Sequence, residues 1–181
     1  MATRYPATTR YSQVAIAFHW TIAALVVFNI AVGLGHDPIP ALRALMPAHK
    51  AVGITVLALT VLRVAWRLAH RPPPLPAHLP SWERGAAHAT HATLYLLLLL
   101  LPLSGWAMVS GPQGRRPLTW FGAADLPYLP VTSPTAERAA ALHGLFGWVM
   151  LALVLLHVGA ALRHHLLLRD GVLARMLPGA R

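Results

Sequence analysis

Four long apolar runs dominate this 181-residue chain and restrict the folds that it can adopt. Three of them contain no charged residue and the second contains only Arg63; they cover residues 14–35, 51–66, 86–111 and 139–162. Each approaches or exceeds the ~20 residues that a helix needs to cross the hydrocarbon core of a bilayer. Only 11% of the residues are charged, against about 25% in soluble domains. We therefore predict an all-α integral membrane protein, a four-helix bundle that forms one membrane domain over residues 1–181.

The predicted helices cover about residues 14–35, 48–68, 82–110 and 134–169. The first run is too long for the apolar part of a signal peptide and contains His19 and Asn29, so we expect it to be retained. Ser133 and Pro134 predict the start of the fourth helix, with Ser133 as its N-cap. Pro102 predicts a kink in the third helix. The chain has no cysteine, which excludes disulfides, iron–sulfur clusters and thiolate ligands.

The net charge of +10 is distributed by side of the membrane. Ten of the fifteen basic residues fall in the N-terminal segment, the middle connection with its flanks and the C-terminal segment: Arg4, Arg10, Arg63, Arg67, Arg71, Arg84, Arg163, Arg169, Arg175 and Arg181. The other two connections hold five basic residues, together with Asp37, Asp125 and Glu137. The positive-inside rule then predicts that both termini are cytoplasmic. Because the orientation of the helices in the membrane accounts for the basic residues, we expect no nucleic-acid partner.

Four histidines lie at the ends of the apolar runs, where an ionisable side chain is costly and usually marks function. His19 and His49 begin the first and second helices, and His143 and His157 bracket an uncharged stretch of the fourth. Because successive helices alternate in direction, His19 and His157 should share the cytoplasmic depth (the inner pair). His49 and His143 should share the opposite depth (the outer pair). The 14 residues between His143 and His157 place them about 21 Å apart, near one helix face.

Two histidine pairs at two depths predict two bis-histidine haem sites. Haem iron takes two axial nitrogens, which facing helices of a bundle can supply, whereas zinc needs four ligands close together. A lone histidine is more often a satisfied core residue, but four that match by depth are hard to obtain by chance. Nearby glycines can make room for a flat macrocycle or can serve ordinary helix packing; these are Gly53, Gly144, Gly147 and Gly159.

The chain resembles the bacterial cytochrome b561 family of four-helix, di-haem inner-membrane proteins. The resemblance is carried, in order and over nearly the whole chain, by RYSQVAIAFHW, HKAVGITVLALTVLRVAWRL, HATHATLYLLLLLLPLSGW and LHGLFGWVMLALVLLHVGAALRHHLLLRDGVLARMLP. It implies two haems b whose iron is held by His19, His49, His143 and His157. It also implies electron exchange with ubiquinone at the cytoplasmic side. Some members are assigned superoxide:ubiquinone oxidoreductase activity, and others are haem subunits of dehydrogenases or hydrogenases.

Further histidines gather at the cytoplasmic ends of the third and fourth helices. His88 and His91 lie three residues apart on one face, and His164 and His165 follow His157 closely. Such side chains can donate to a quinone carbonyl and relay its protons, since histidine titrates near neutral pH. The resemblance implies a quinone contact near His164. The alternative for each of them is a solvated histidine at the membrane interface.

Basic side chains lie beside both predicted haem sites. Arg63 and Arg67 are four residues apart on the second helix, where they can pair with haem propionates or only extend to the headgroups. On the outer side, Lys50, Arg115 and Arg116 can attract an anionic electron donor or remain part of a solvated loop.

We therefore expect an oxidoreductase of the superoxide:ubiquinone type, which links a periplasmic one-electron donor, superoxide or a redox protein, to ubiquinone in the respiratory chain. The alternative is a cytochrome b subunit that anchors a dehydrogenase or hydrogenase. A transporter or channel with a histidine relay needs a continuous polar path, which the midplane stretches LLLLLLPL and VMLALVLL do not provide. A structural scaffold would not need paired histidines.

Overall fold

The computed structural model of the chain describes residues 10–75 and 79–179. This part contains four long helices: α1 (Gln13–Gly35), α2 (Met46–Ala69), α3 (Ser81–Ser110) and α4 (Ser133–Leu162). A 3-10 helix at Pro40–Leu45 leads into α2, and α4 continues as a π-helical turn over Arg163–Leu168 before a 3-10 helix at Leu173–Met176. Two short antiparallel strands, β1 (Thr119–Trp120) and β2 (Ala124–Asp125), pair in the connection between α3 and α4. The basic residues Arg4 and Arg181 lie outside the described residues.

The four helices form an all-α membrane bundle, as predicted. Within the described residues, four helical segments are long and apolar enough to cross a membrane. Their outward faces carry large apolar side chains that are mostly exposed; Leu155 is 64% exposed and Leu156 58%. Soluble proteins rarely expose apolar surface on this scale, so the outer surface of the bundle is suited to lipid.

The helix ends follow from local sequence. The Ser12 side chain caps α1 by accepting a hydrogen bond from the Ala15 backbone N–H at 3.2 Å. The cap of α4 is Thr132, whose Oγ1 accepts from the Thr135 N–H at 3.4 Å. The prediction of Ser133 as the N-cap was therefore wrong by one residue, since Ser133 is already helical. Pro102 lies inside α3, where it removes one backbone donor.

Successive helices pack side by side, and α4 returns to contact α1. One end of the bundle, the terminal end, holds the N-terminal and C-terminal segments and the connection between α2 and α3. There the Trp20 Nε1–H donates to the Met176 carbonyl at 2.7 Å, and Arg175 donates to the Pro74 carbonyl at 2.8 Å. The Arg175 guanidinium also lies over the Tyr11 ring, 5.9 Å from its centroid. Both described terminal segments therefore lie at the same end.

The opposite end, the loop end, is covered by the connection over residues 111–132. Lys50 Nζ donates to the Pro117 carbonyl, and the Trp120 Nε1–H donates to Thr55 Oγ1 at 3.0 Å. Leu118 is buried beneath this cover. The connection is thus fixed onto α2 by specific contacts.

A layer of apolar side chains fills the middle of the bundle. Its buried members come from all four helices: Ile22, Val26, Val52, Val56, Leu97, Leu98 and Met150. Met150 is 2% exposed and lies seven residues from His143 and seven from His157 on α4, about two helical turns from each. This layer separates the two histidine depths.

Candidate functional site

The structure brings four histidines together as two pairs, one at each end of the bundle. The inner pair, His19 on α1 and His157 on α4, has ring centroids 6.2 Å apart and ring planes at 77°. The outer pair, His49 on α2 and His143 on α4, has centroids 6.2 Å apart and planes at 82°. The inner pair lies toward the terminal end and the outer pair toward the loop end. These are the partners that the alternating helix directions predicted.

The spacing within each pair suits two imidazoles on opposite sides of one metal ion. A metal–nitrogen bond to imidazole is about 2.0–2.1 Å, and the nitrogen lies about 1.1 Å from the ring centroid. Two trans ligands therefore place their centroids about 6–6.5 Å apart. Both pairs have 6.2 Å between centroids with the rings edge to face, a spacing that leaves room for one metal ion between a nitrogen of each ring. The donors thus fit the iron of a haem group in each pair.

The His143 ring is held through one of its two nitrogens, which leaves the other nitrogen available as a ligand. Its Nδ1 lies 3.0 Å from the Leu101 carbonyl and 3.2 Å from Ser104 Oγ. The carbonyl accepts the Nδ1–H, which fixes the tautomer in which Nε2 carries a lone pair. Metal-ligating histidines usually have such an orienting partner on the other nitrogen.

Glycines on neighbouring helices make the space for the outer-pair rings. A Cβ on Gly33 of α1 would lie 2.9 Å from His49 Cε1, and a Cβ on Gly105 of α3 would lie 3.0 Å from His143 Cε1. Each glycine stands four residues after the backbone carbonyl that its histidine approaches, Asn29 for His49 and Leu101 for His143. His49 Nδ1 lies near the Asn29 carbonyl but makes no hydrogen bond of good geometry there.

These two glycines were not predicted, whereas Gly53, Gly144, Gly147 and Gly159, which lie near the histidines in sequence, were. Of those, Gly53, Gly144 and Gly147 line a cavity beside the outer pair. Gly159 is exposed and has open space around it. A glycine that contacts a histidine from a different helix gives no local signal in the sequence.

The cavity beside the outer pair has a volume of ≈ 360 Å³ and is reached by residues of all four helices. This volume lies within the usual range of small-molecule and cofactor sites, about 300–1,000 Å³. Most of its lining is apolar, with His49 and His143 in the wall and Lys50 and Arg116 toward the loop end. Asn29 also lines it, and the Asn29 Oδ1 is buried without a hydrogen-bond partner among the described residues. Such a cavity fits a flat, largely apolar group.

A third histidine approaches the inner pair. The His91 ring on α3 lies 5.4 Å from the His157 ring, centroid to centroid. That distance is shorter than the 6.2 Å between His19 and His157, and it falls below the spacing expected for two trans ligands. His19 therefore fits better than His91 as the partner of His157. The sequence placed His91 at this depth but did not show that it touches the pair.

Arg63 and Arg67 lie with Tyr95 between α2 and α3. Their guanidinium carbons lie over the Tyr95 ring, 5.4 Å and 5.7 Å from its centroid. Arg63 is close enough to His19 and His157 to interact with both electrostatically. A groove of ≈ 430 Å³ opens beside these residues and is lined by Val64, Arg67, His88, His91, Ala92 and Tyr95.

His164 lies away from this groove, on the side where α3 packs against α4. Its Nδ1 is 2.5 Å from Asp170 Oδ2, and its Nε2 is 3.9 Å from Glu83 Oε2. His165, the next residue, is exposed. The histidines that the sequence places together at the ends of α3 and α4 thus form two groups, one around His88 and His91 and one around His164. Glu83 and Asp170 were not predicted as site residues, although a negative charge in so basic a chain is a usable signal.

Among residues 10–75 and 79–179, no group of three or more histidine, cysteine, aspartate or glutamate side chains is arranged to bind a metal ion directly. The candidate ligands are therefore the two histidine pairs, each able to supply two nitrogens.

Comparison with known proteins identifies the family. The model of the prokaryotic cytochrome b561 family matches residues 10–179. The chain is 36% identical to cytochrome b561 homolog 2 of Escherichia coli (strain K12), an alignment that covers 93% of this chain and 91% of that protein. It is 30% identical to the probable superoxide oxidase CybB of Yersinia pestis, covering 95% and 98%, and 30% identical to cytochrome b562 of Cereibacter sphaeroides, covering 92% and 94%. With its four membrane helices and its histidine pairs, the chain belongs to the prokaryotic cytochrome b561 family of membrane electron-transfer proteins.

Proposed function

We propose that this protein holds two haems b and transfers electrons across the bacterial inner membrane, from a one-electron donor at the loop end to ubiquinone at the terminal end. The observation that carries this proposal is the presence of two histidine pairs with the same 6.2 Å spacing, one at each end of the bundle. His19 and His157 would hold one haem, and His49 and His143 the other.

The bound haems would supply one-electron redox couples, and the protein's own residues would set where these lie. The His143 ring is fixed by the Leu101 carbonyl, and Gly105 lets the ring lie close to α3. The apolar layer around Met150 lies between the two depths. Near the inner pair, Arg63 and Arg67 provide positive charge that suits the propionates of a haem.

We propose that both termini face the cytoplasm, so that the terminal end is the inner end. The support is the bias of basic residues toward the terminal segments and the middle connection, together with the position of both described terminal segments at one end of the bundle. The outer pair then lies toward the periplasm.

Superoxide is the donor that the loop end favours. Lys50 and Arg116 line the same cavity as His49 and His143, and positive charge at a cleft raises the local concentration of an anion. The reaction would release O₂ and leave one electron in the protein for each superoxide consumed. The similarity to a probable superoxide oxidase supports this donor. A partner redox protein, or an anchoring role in a dehydrogenase or hydrogenase, remains the second candidate, and the apolar midplane layer disfavours a histidine-relay channel.

An optical and analytical measurement tests the core of the proposal. Purified protein should contain two haems per chain and should show b-type absorption bands after reduction with dithionite. Purified protein that is fully folded but binds no haem in either pair would contradict it.

The identity of the donor can be tested by measuring how the rate of reduction by superoxide depends on charge at the loop end. Stopped-flow reduction of the oxidised protein by superoxide should slow severalfold in Arg116→Glu and fall with ionic strength, whereas reduction by a neutral one-electron reductant should not change. Arg138→Glu, on the first part of α4, controls for total charge. Equal rates for Arg116→Glu and wild type with superoxide would contradict electrostatic capture at this cavity.

The quinone site can be tested by comparing three histidines at the terminal end. We expect His164→Ala to retain both haems and their reduction by an outer donor, but to slow reoxidation by ubiquinone at least tenfold, or about 1.4 kcal/mol in the barrier. The adjacent exposed His165→Ala is the matched control. If His88→Ala slows reoxidation and His164→Ala does not, the quinone binds in the groove between α2 and α3.

A further inference from the structure

The two acidic residues that the structure describes at the terminal end both lie against one histidine. The chain has only five acidic residues and fifteen basic ones. Glu83 lies in the first turn of α3, and Asp170 follows the π-helical turn after α4. These two residues are 87 positions apart in the sequence, yet both approach His164. The side chains of His164, Asp170 and Glu83 are 13%, 9% and 12% exposed. Placing two carboxylates and an imidazole together with so little exposure is costly unless they interact, so this arrangement requires an explanation.

The two carboxylates hold the imidazole differently. Asp170 Oδ2 lies 2.5 Å from His164 Nδ1, a strong hydrogen bond in which the ring donates. Glu83 Oε1 is fixed by Arg163 Nη1 at 3.1 Å. The Glu83 Oε2 atom is buried, has no hydrogen-bond partner among the described residues and lies 3.9 Å from His164 Nε2. That gap is too long for a direct hydrogen bond, so Nε2 can engage a further group.

The backbone is distorted to bring Asp170 back to the ring. The end of α4 changes to π-helix from Arg163 to Leu168, and Arg169 adopts a left-handed conformation with φ 51°. Asp170 Oδ1 then accepts the Val172 N–H at 3.1 Å, which orients the carboxylate. π-helical turns are rare and frequent at functional sites, and left-handed backbone at a residue other than glycine costs about 1 kcal/mol or more.

We propose that Glu83, His164 and Asp170 form the proton-transfer site for the quinone acceptor, an inference that rests on the proposed function. Reduction of a quinone to a quinol takes two electrons and two protons, and the surrounding lipid supplies neither. First, one electron arrives from the inner-pair site and the Nε2–H of the His164 imidazolium passes to the quinone oxygen beside it. A second electron then arrives, and the other quinone oxygen takes its proton from water at the membrane surface. Asp170 positions the ring and stabilises the imidazolium. Glu83 returns a proton from the water at the membrane surface, beside the half-exposed Arg163.

Two electron acceptors distinguish electron transfer that needs protons from electron transfer that does not. The holoprotein is reduced, freed of excess reductant and mixed with either a short-chain ubiquinone or ferricyanide, which takes one electron and no proton. We expect Asp170→Asn and Glu83→Gln to slow reoxidation by the quinone at least tenfold and to leave reoxidation by ferricyanide unchanged. The same substitutions toward the loop end, Asp125→Asn and Glu137→Gln, should give wild-type rates with both acceptors.

A second readout is independent of turnover. In protein labelled with ¹⁵N-histidine, the strongly hydrogen-bonded Nδ1 proton of His164 should give a downfield resonance, assigned by its loss in His164→Ala. It should disappear in Asp170→Asn and persist in Glu83→Gln, because only Asp170 accepts that proton.

Three results would overturn the proposal. Quinone reoxidation rates in Asp170→Asn and Glu83→Gln equal to those of the controls would show that neither carboxylate serves the reaction. Equal slowing with quinone and ferricyanide would show that the substitutions disturb electron transfer. Failure of the wild-type holoprotein to be oxidised by the quinone at all would refute the proposed function itself, and that outcome is visible before any variant is compared.

Discussion

Replacing Gly105 with alanine should loosen the proposed outer haem site without replacing a proposed ligand. The new Cβ would lie 3.0 Å from His143 Cε1 and 3.3 Å from its Nδ1, whereas carbon atoms in good contact are about 3.5–4.0 Å apart. The ring must therefore move by about 0.5–1 Å. The Nδ1–H hydrogen bond to the Leu101 carbonyl, now 3.0 Å, would then stretch beyond a useful length.

The expected loss follows from these two effects. Overpacking of a tight site typically costs about 1–3 kcal/mol, and loss of the hydrogen bond adds about 1 kcal/mol. Together they give about 2–4 kcal/mol, which corresponds to roughly 30- to 700-fold weaker binding at the outer pair.

The assay is the rate at which the holoprotein loses haem to an excess of a high-affinity acceptor protein. In Gly105→Ala, one of two kinetic phases should accelerate by about this factor, while the phase of the inner pair stays unchanged. Gly85→Ala is the matched control, since it makes the same change on the same helix where a new Cβ meets nothing within 4 Å. Haem loss from Gly105→Ala at the wild-type rate would show that close packing of the His143 ring against Gly105 does not stabilise haem binding. Equal acceleration of both phases would show that the whole bundle, and not the ring seat, is disturbed.

Three further predictions concern the pairs and the topology. Alanine at either inner-pair histidine should remove or open only the inner centre in redox titration and EPR, and alanine at either outer-pair histidine only the outer one; if His19→Ala and His143→Ala disturbed the same centre, the pairing would be wrong. The ring planes lie at 77° and 82°, and nearly perpendicular ligand planes leave two iron d orbitals almost equal in energy. Both oxidised centres should therefore give strongly anisotropic low-spin EPR signals. The rhombic spectra that parallel rings produce would contradict the observed ring orientations. Reporter fusions at Arg181 and within residues 69–84 should score cytoplasmic and fusions near Gln113 periplasmic, and a periplasmic C-terminus would reverse the assignment of inner and outer ends.

Much of the architecture is determined by local features of the sequence. Apolar runs of sufficient length specify membrane helices because backbone polar groups in lipid must be satisfied within the segment. Helices that each cross the membrane alternate in direction, and the depth of a histidine then follows from its position along its helix. For this reason the partners of His19 and His49 could be predicted from helix direction and position, and the structure has the same pairs.

Tertiary packing decided the contacts of each ring and the grouping of the polar side chains. Depth does not fix the rotation of a helix about its axis, so the sequence could not show that Gly33 and Gly105 seat the outer rings or that His91 touches His157. The same limit explains why the histidines of the terminal end, which the sequence places at one depth, form two groups on different sides of α3. Asp170 reaches His164 because α4 ends in a π-helical turn and Arg169 reverses the backbone, and the apolar and charge patterns of the sequence do not specify that change of backbone conformation.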